Sequence, residues 1–537
     1  MPRPAISTER LIVLASLFFT VFCNQSFWRS ILEHQGAEHA ATWLFCSALF
    51  IVVTAMHCLL LGLVVHRRTA KPILAALFLM TAGVVHYMQD YKVFFDPGML
   101  RNVLHTDIKE ARELLSFSLL RDLALLGILP TMLMMRLHIT ERPWRVAVIA
   151  RAALLIGSFA LVLAGLGLQF QNASALLRNH KEIRYLVTPG NYLTSAVGVL
   201  LADNAGKHAA RLPVGEDARL GSSWTGRRKP ALLVVVVGET ARAANWGLNG
   251  YARQTTPELA GLGVLNFPHV TSCGSNTEVS VPCMFSPFGR KDYDEKKIHR
   301  HESLLHVLER GGIKTLWRDN QSGCKGVCDG LESQQLDQAR DPALCNGERC
   351  LDEILIDGLE AELDRNKGNL VIVLHQLGNH GPAYSQRYPD AFRQFTPTCD
   401  TADLGKCSRE QIVNSYDNAL LYTDHFLAQA IARLKAQTSH DAALVYVSDH
   451  GESLGENGFY LHGLPYAIAP REQTGVPMVA WFSPGFSSSF GIDADCLKRN
   501  ADAPISHDYL FHSVLGMLAV DTTVYDKAYD FTAKCRN

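Results

Sequence analysis

Three apolar runs in the second half of the chain each end in residues with oxygen or nitrogen donors for a metal ion. Ala231-Leu-Leu-Val-Val-Val-Val-Gly leads into Glu239-Thr240, Asn369-Leu-Val-Ile-Val-Leu into His375 and then His380, and Ala443-Leu-Val-Tyr-Val-Ser into Asp449-His450-Gly451. Carboxylate and imidazole without an obvious thiolate suit zinc or a similar divalent ion, with a position left for a substrate oxygen. Each piece has a plainer reading. Asp-His-Gly is commonly a turn with a solvated histidine, and Thr240 suits the N-cap of a following helix. The metal reading rests on the recurrence of donors after three separate runs.

Short β-branched runs of this kind read as buried parallel strands, and in open α/β sheets the site lies beyond the carboxyl ends of the strands. From Pro230 onward the strand-like runs alternate with helical patterns at 302–310, 351–364 and 416–434, which predicts an α/β domain on a mainly parallel sheet. The hydroxyls near these runs, Thr240, Ser275, Thr277 and Ser280, are all candidate nucleophiles, and pattern alone does not choose among them. Thr277 also suits the N-cap of a helix beginning Glu278-Val-Ser-Val.

The chain has 537 residues and a formal net charge of -1, which gives no nucleic-acid signature. Its first third is oily. Segments 11–22, 43–65, 73–88, 119–135 and 146–168 have the character of five transmembrane helices, the first and third being short. Arg67, Arg68 and Lys71 after the second, and Arg136, Arg142 and Arg145 after the fourth, mark cytoplasmic loops. Five spans then deliver the remainder outside. The expected division is 1–168 membrane domain, 169–229 linker with helices on the membrane surface, and 230–537 catalytic domain. Of 13 cysteines, Cys23, Cys46 and Cys58 lie in or beside spans. The others pair by proximity as Cys273 with Cys283, Cys324 with Cys328, Cys345 with Cys350 and Cys399 with Cys407, leaving Cys496 with Cys535, which fits an oxidising compartment. A zinc site of Cys324, Cys328, Cys345 and Cys350 is the rival. In the outer loop 91–115, Asn102, Thr106 and Glu110 recur every four residues and would share one helix face.

Val234-Val-Val-Val-Gly-Glu-Thr-Ala-Arg242, Thr271-Ser-Cys-Gly-Ser-Asn-Thr277-Glu-Val-Ser-Val-Pro-Cys-Met-Phe285, His375-Gln-Leu-Gly-Asn-His-Gly-Pro-Ala-Tyr384 and Ser448-Asp-His-Gly-Glu-Ser-Leu-Gly-Glu-Asn-Gly458 stand in this order. With the five-span anchor they resemble the membrane-anchored phosphoethanolamine transferases that modify lipid A, including the mobile colistin-resistance enzymes. The resemblance implies an alkaline phosphatase or sulfatase type of α/β catalytic domain. It implies at least one zinc ion held by Glu239, Asp449, His450 and Thr277, with Thr277 as nucleophile. It places His380 and His462 near the transferred phosphate or a second zinc, Lys325 on the phosphate, and Asn102, Thr106 and Glu110 on lipid substrate. Ser275 stands where many relatives have threonine.

The activity implied is a ping-pong transfer of phosphoethanolamine from phosphatidylethanolamine to a lipid A phosphate through Thr277, releasing diacylglycerol and promoting polymyxin resistance. The protein would be a monomer of the bacterial inner membrane, multi-pass, with its catalytic domain in the periplasm. Alternatives are the same chemistry on a lipopolysaccharide core sugar or other surface acceptor, phosphoglycerol transfer or phosphodiester hydrolysis by the same site, and a membrane sensor whose zinc is structural.

Overall fold

The computed structural model describes residues 4–36, 38–106, 108–206, 211–347 and 349–536, apart from the side chains of 105, 108–110, 171, 175, 179 and 201–206. By internal contacts the chain divides into two units, Met1–Leu100 with Leu115–Leu201, and Arg101–Leu114 with Ala202–Asn537.

In the first unit, α1 (Thr8–Phe22) starts where Ser7 Oγ accepts the N–H of Arg10 at 3.3 Å. At 15 residues it is shorter than the roughly 20 a straight span needs, and it continues into α2 (Gln25–Gln35) through a 52° bend. The bend falls at Asn24, whose side chain bonds both the N–H and the carbonyl of Thr188, at 2.9 and 2.8 Å. Next come α3 (Ala40–Val64) and α4 (Ala70–Asp90), then the helical runs Phe117–Met135 and Trp144–Leu168. These four are long and apolar enough to cross a membrane, and the bent pair counts as a fifth where it is taken as one span. Within Phe117–Met135 a π-helical turn, Leu123–Ile128, precedes Pro130; the extra residue per turn accommodates a ring that lacks an N–H and crowds the preceding turn. The last span lies close against α3, where a methyl group added at Gly62 would reach 2.8 Å from Leu155 Cδ2. Its other side leaves Val148, Ile149, Ile156 and Phe159 exposed, as lipid contact allows.

The second unit is built on an eight-stranded sheet of β1 (Ala231–Gly238), β2 (Leu265–Thr271), β3 (Lys314–Asp319), β4 (Ser333–Gln335), β5 (Leu370–His375), β6 (Asp441–Ser448), β7 (Gly475–Phe482) and β8 (Ile505–Ser506), in the order β8-β2-β7-β6-β1-β5-β3-β4. Only β7 runs opposite to its neighbours. Every residue of β1 is buried, which explains an unbroken apolar run rather than an alternating one. The unit also contains α5 (Pro97–His105, its last residues), α6 (Ile108–Glu113), α7 (Thr277–Met284) and α8 (Arg409–Ala436). The expected single helix through Asn102 and Thr106 is broken at Thr106, whose hydroxyl turns back to the Asn102 carbonyl at 2.8 Å, a bond that competes with the helical one.

Residues 211–229 are built into this unit. Arg219–Leu220 pairs antiparallel with Val520–Asp521, and Trp224 Nε1 donates to the Leu518 carbonyl at 2.7 Å. Disulfides join Cys273–Cys283, Cys324–Cys328, Cys345–Cys350, Cys399–Cys407 and Cys496–Cys535, so each cysteine is bonded to its neighbour in chain order and none of the ten is left as a thiolate ligand.

Candidate active site

The parallel register brings two acidic side chains together. Gly238 at the end of β1 pairs with Ser448 at the end of β6, so the next residues, Glu239 and Asp449, emerge side by side. Gly238 has no room for a side chain, since a Cβ there would lie 2.5 Å from the Tyr446 ring. Past the strand the backbone turns at Thr240, held at φ 59° with its N–H on Asp449 Oδ1 at 3.1 Å and its carbonyl receiving the Tyr416 hydroxyl at 2.7 Å. Thr240 therefore makes a strand-end turn and caps no helix.

Glu239, Asp449 and His450 are buried, with ligand atoms all within 4.8 Å of one another. His450 Nε2 lies 3.3 Å from Glu239 Oε1 and 3.4 Å from Asp449 Oδ2, while Nδ1 donates to the Gly451 carbonyl at 2.9 Å. A ring whose Nδ1–H is engaged this way turns Nε2 toward the cluster, the nitrogen that a metal ion would take in place of a proton. Asp449 Oδ2 is buried without a hydrogen-bond partner among the described residues. Burial pushes the Asp449 carboxyl up to about 7, aided by the Glu239 charge. Burial disfavours the His450 cation, yet the charges of Asp449 and Glu239 outweigh it and raise the imidazole to about 10. Burial likewise opposes the Glu239 charge, but the His450 hydrogen bond and charge hold this carboxyl well below the usual range. Two buried carboxylates with an orphaned oxygen and an inward Nε2 suit a divalent cation.

Thr277 opens α7 beside this cluster. Its Oγ1 is 3.1 Å from Glu239 Oε2 and 3.3 Å from His450 Nε2. The helix is capped by Asn276, whose Oδ1 accepts the Val279 N–H at 3.0 Å; Thr277 is the first helical residue rather than the cap, which leaves its hydroxyl out of the capping bond. The other hydroxyls are committed elsewhere. Ser275 donates to the Leu464 carbonyl at 2.5 Å, Ser280 accepts the Gly274 N–H at 2.9 Å, and Thr240 donates to Glu239 Oε1 at 2.5 Å. The Cys273–Cys283 bond closes the segment around Thr277.

Around the cluster, the His462 ring centroid is 4.3 Å from that of His450 and 5.5 Å from that of His380. Glu452 fixes His462 by accepting from Nδ1 at 2.8 Å and also receives the Tyr384 hydroxyl. Burial lowers the His462 imidazole, and the neighbouring His450 charge lowers it further. Lys325 sits inside the Cys324–Cys328 loop at φ 49°, with Nζ 2.8 Å from Glu278 Oε1 and 2.7 Å from Ser322 Oγ. Asn102 and Thr106 lie in the segment grouped with this unit, whereas the Glu110 side chain lies outside the described residues.

His375 does not join the ligand cluster. Its Nδ1 bonds Asp319 Oδ2 at 2.8 Å, and Asp319 also receives Trp317 Nε1 at 2.7 Å. Sequence reading missed Gln321, which donates to Glu239 Oε2 at 3.1 Å, and it missed Asp319, Glu278 and Glu452. Lys-Thr-Leu-Trp-Arg-Asp of β3 carries too little β-branched patterning to announce a strand, so the donors beyond it drew no notice.

The chain resembles known proteins along its length. A family profile described as Sulfatase matches residues 231–520, and one described as Phosphoethanolamine transferase EptA/EptB matches residues 53–203. The chain is 36% identical over 542 residues to the phosphoethanolamine transferase EptA of Escherichia coli (strain K12), covering 100% of this chain and 98% of that protein. It is 36% identical over 545 residues to the phosphatidylethanolamine transferase Mcr-1 of Escherichia coli, covering 99% and 98%. Among solved structures, the integral membrane protein lipooligosaccharide phosphoethanolamine transferase A (EptA) from Neisseria meningitidis superposes with a TM-score of 0.95 at 36% identity, covering 99% of this chain and 100% of that one.

Proposed function

Because the chain belongs to the EptA/EptB family of phosphoethanolamine transferases, we propose that it moves phosphoethanolamine from phosphatidylethanolamine to a lipid A phosphate by way of Thr277. The observation that carries the reading is the Thr277 hydroxyl lying 3.1 Å from Glu239 and 3.3 Å from His450 Nε2, inside a buried donor set. Glu239, Asp449, His450 and Thr277 would hold zinc. Bound there, the ion would acidify a hydroxyl and polarise a phosphoryl oxygen.

Thr277 Oγ1 then bonds to phosphorus as the bond to the glycerol oxygen breaks, and diacylglycerol leaves with a proton. In the second half, a protonated phosphate oxygen of lipid A attacks the same phosphorus as the Thr277 Oγ1–phosphorus bond breaks, and the acceptor's proton passes to Thr277. Lys325, His380 and His462 would supply donors to the charge developing on the phosphoryl oxygens, which lowers the barrier by preorganisation. The Glu452 hydrogen bond fixes His462 in the tautomer protonated at Nδ1, so its Nε2 is the nitrogen free to accept a proton. The chain acts as a multi-pass protein of the inner membrane with its catalytic unit in the periplasm. Added ethanolamine cations on lipid A weaken its attraction for polymyxins.

The test is incubation of the purified full chain with labelled phosphatidylethanolamine. Phosphoethanolamine on Thr277, free diacylglycerol and transfer to added lipid A are expected. Diacylglycerol release with no protein adduct would overturn the covalent route, and transfer to a lipopolysaccharide core sugar instead of lipid A would overturn the acceptor.

A further inference from the structure

The segment that interrupts the sequence between the third and fourth spans is tied to the catalytic loops through one carboxylate. Glu113, the last residue of α6, accepts Arg387 Nη2 at 2.5 Å on one oxygen and pairs with Arg349 Nε at 2.6 Å on the other. All three side chains are enclosed, at 9% exposure for Glu113, 0% for Arg387 and 13% for Arg349. Arg387 spends its Nε on the backbone carbonyl of His380, at 2.6 Å. One guanidinium therefore reaches from α6 to the loop that presents His380. A planar fork with donors on two edges holds both partners in fixed relative position, which a lysine ammonium on a flexible stem does not. In a low-dielectric setting such a pair is also hard to break, because losing either partner strands a buried charge. Among the described residues of this segment, Arg101 also pairs with Glu295, on a helix apart from the His380 loop.

We propose that Glu113 is a positioning residue for transfer from lipid: acting through Arg387 on the His380 carbonyl, it sets the register between the segment carrying Asn102 and Thr106 and the loop carrying His380. The inference rests on the transfer reading above. Its consequence is selective. A lipid head group gripped by one segment and attacked at another needs both in register, whereas a small diester has no head group for the segment carrying Asn102 and Thr106 to hold.

The test uses the full chain in phosphatidylethanolamine vesicles and, separately, hydrolysis of bis(p-nitrophenyl) phosphate. Glu113→Gln keeps the shape and removes the charge. Transfer from lipid should fall by about 100-fold, mostly in kcat, the scale expected when a reacting group is displaced by about 1 Å. Hydrolysis of the soluble diester and metal content should stay near wild type at a temperature where the variant is folded, while the melting temperature falls because Arg387 and Arg349 lose their enclosed counter-ion. Arg387→Lys keeps the buried charge and should show the same selective loss in a folded protein. The double variant Glu113→Gln/Arg387→Lys should be no worse than the more impaired single variant, since both act on one connection. Equal losses on lipid and soluble substrates, additive losses in the double variant, or no loss on lipid would each overturn the proposal. Absence of transfer by the wild type would instead overturn the transfer reading itself.

Discussion

Thr277 and the three charged groups around it separate chemistry from metal retention. Thr277→Ala removes the attacking oxygen and leaves Glu239, Asp449 and His450 in place, so transfer should drop by about 10³-fold or more while the protein still binds zinc. Glu239→Ala, Asp449→Ala or His450→Ala should lose zinc together with activity, read by elemental analysis of the purified variants. Full zinc occupancy in all three would remove them as ligands. Asp319 and His375 form a separate pair with its own pH signature. Burial opposes the Asp319 charge, but the His375 cation holds this carboxyl down at about 2, so the stabilisation is present above about pH 4 and is lost as pH falls toward 2. His375 is buried, yet the Asp319 charge raises its imidazole, so its part is present below about pH 6.5 and is lost as pH rises through the raised value. Asp319→Asn should cost about 3 kcal/mol near pH 5 and flatten the acid limb, measured by urea unfolding across pH. Glu239, Asp449 and His450 were legible in the sequence because each follows a strand whose burial on both faces makes it uniformly apolar. The acids that hold second partners, Glu278 and Glu452, gave no such signal: their role depends on what reaches them from Lys325 and His462, 47 and 10 positions away in the chain.

At the scale of elements, the segment 273–283 shows how local closure serves a nucleophile. The Cys273–Cys283 bond, the Asn276 cap and the Ser275 bond to Leu464 converge on a helix of eight residues, far too short to persist on its own. Cys273→Ser/Cys283→Ser should lower stability by about 2 to 3 kcal/mol and weaken zinc retention, since Thr277 sits on the loosened turn. Denaturant unfolding and a zinc competition assay read the two effects. Sequence periodicity gave the long helix α8 and the spans well, as both are set by repeating burial. It did not mark the helix end at His105, just before Thr106 turns its hydroxyl back to the Asn102 carbonyl. Periodicity is blind to a single side-chain bond of this kind.

For the whole molecule, the boundary of the catalytic unit decides which fragment is stable. A fragment beginning at Pro230 loses the pairing of Arg219–Leu220 with Val520–Asp521 and the Trp224 contact with Leu518 and Phe490, so it should melt several degrees below one beginning at Arg211. Both should bind zinc and hydrolyse a soluble diester, and both should transfer poorly from vesicles, since neither contains the spans or residues 101–114. Calorimetry and paired assays separate stability from access to lipid. The pairing order of the ten cysteines has a further consequence, for biogenesis. A chain threaded across the membrane from its amino end offers its thiols in sequence, and an oxidant that joins each newly emerged cysteine to the one before it produces all five native bonds without a single exchange. Maturation should therefore depend on the compartment's oxidase and be indifferent to its isomerase, and yields from hosts lacking one or the other would show the difference.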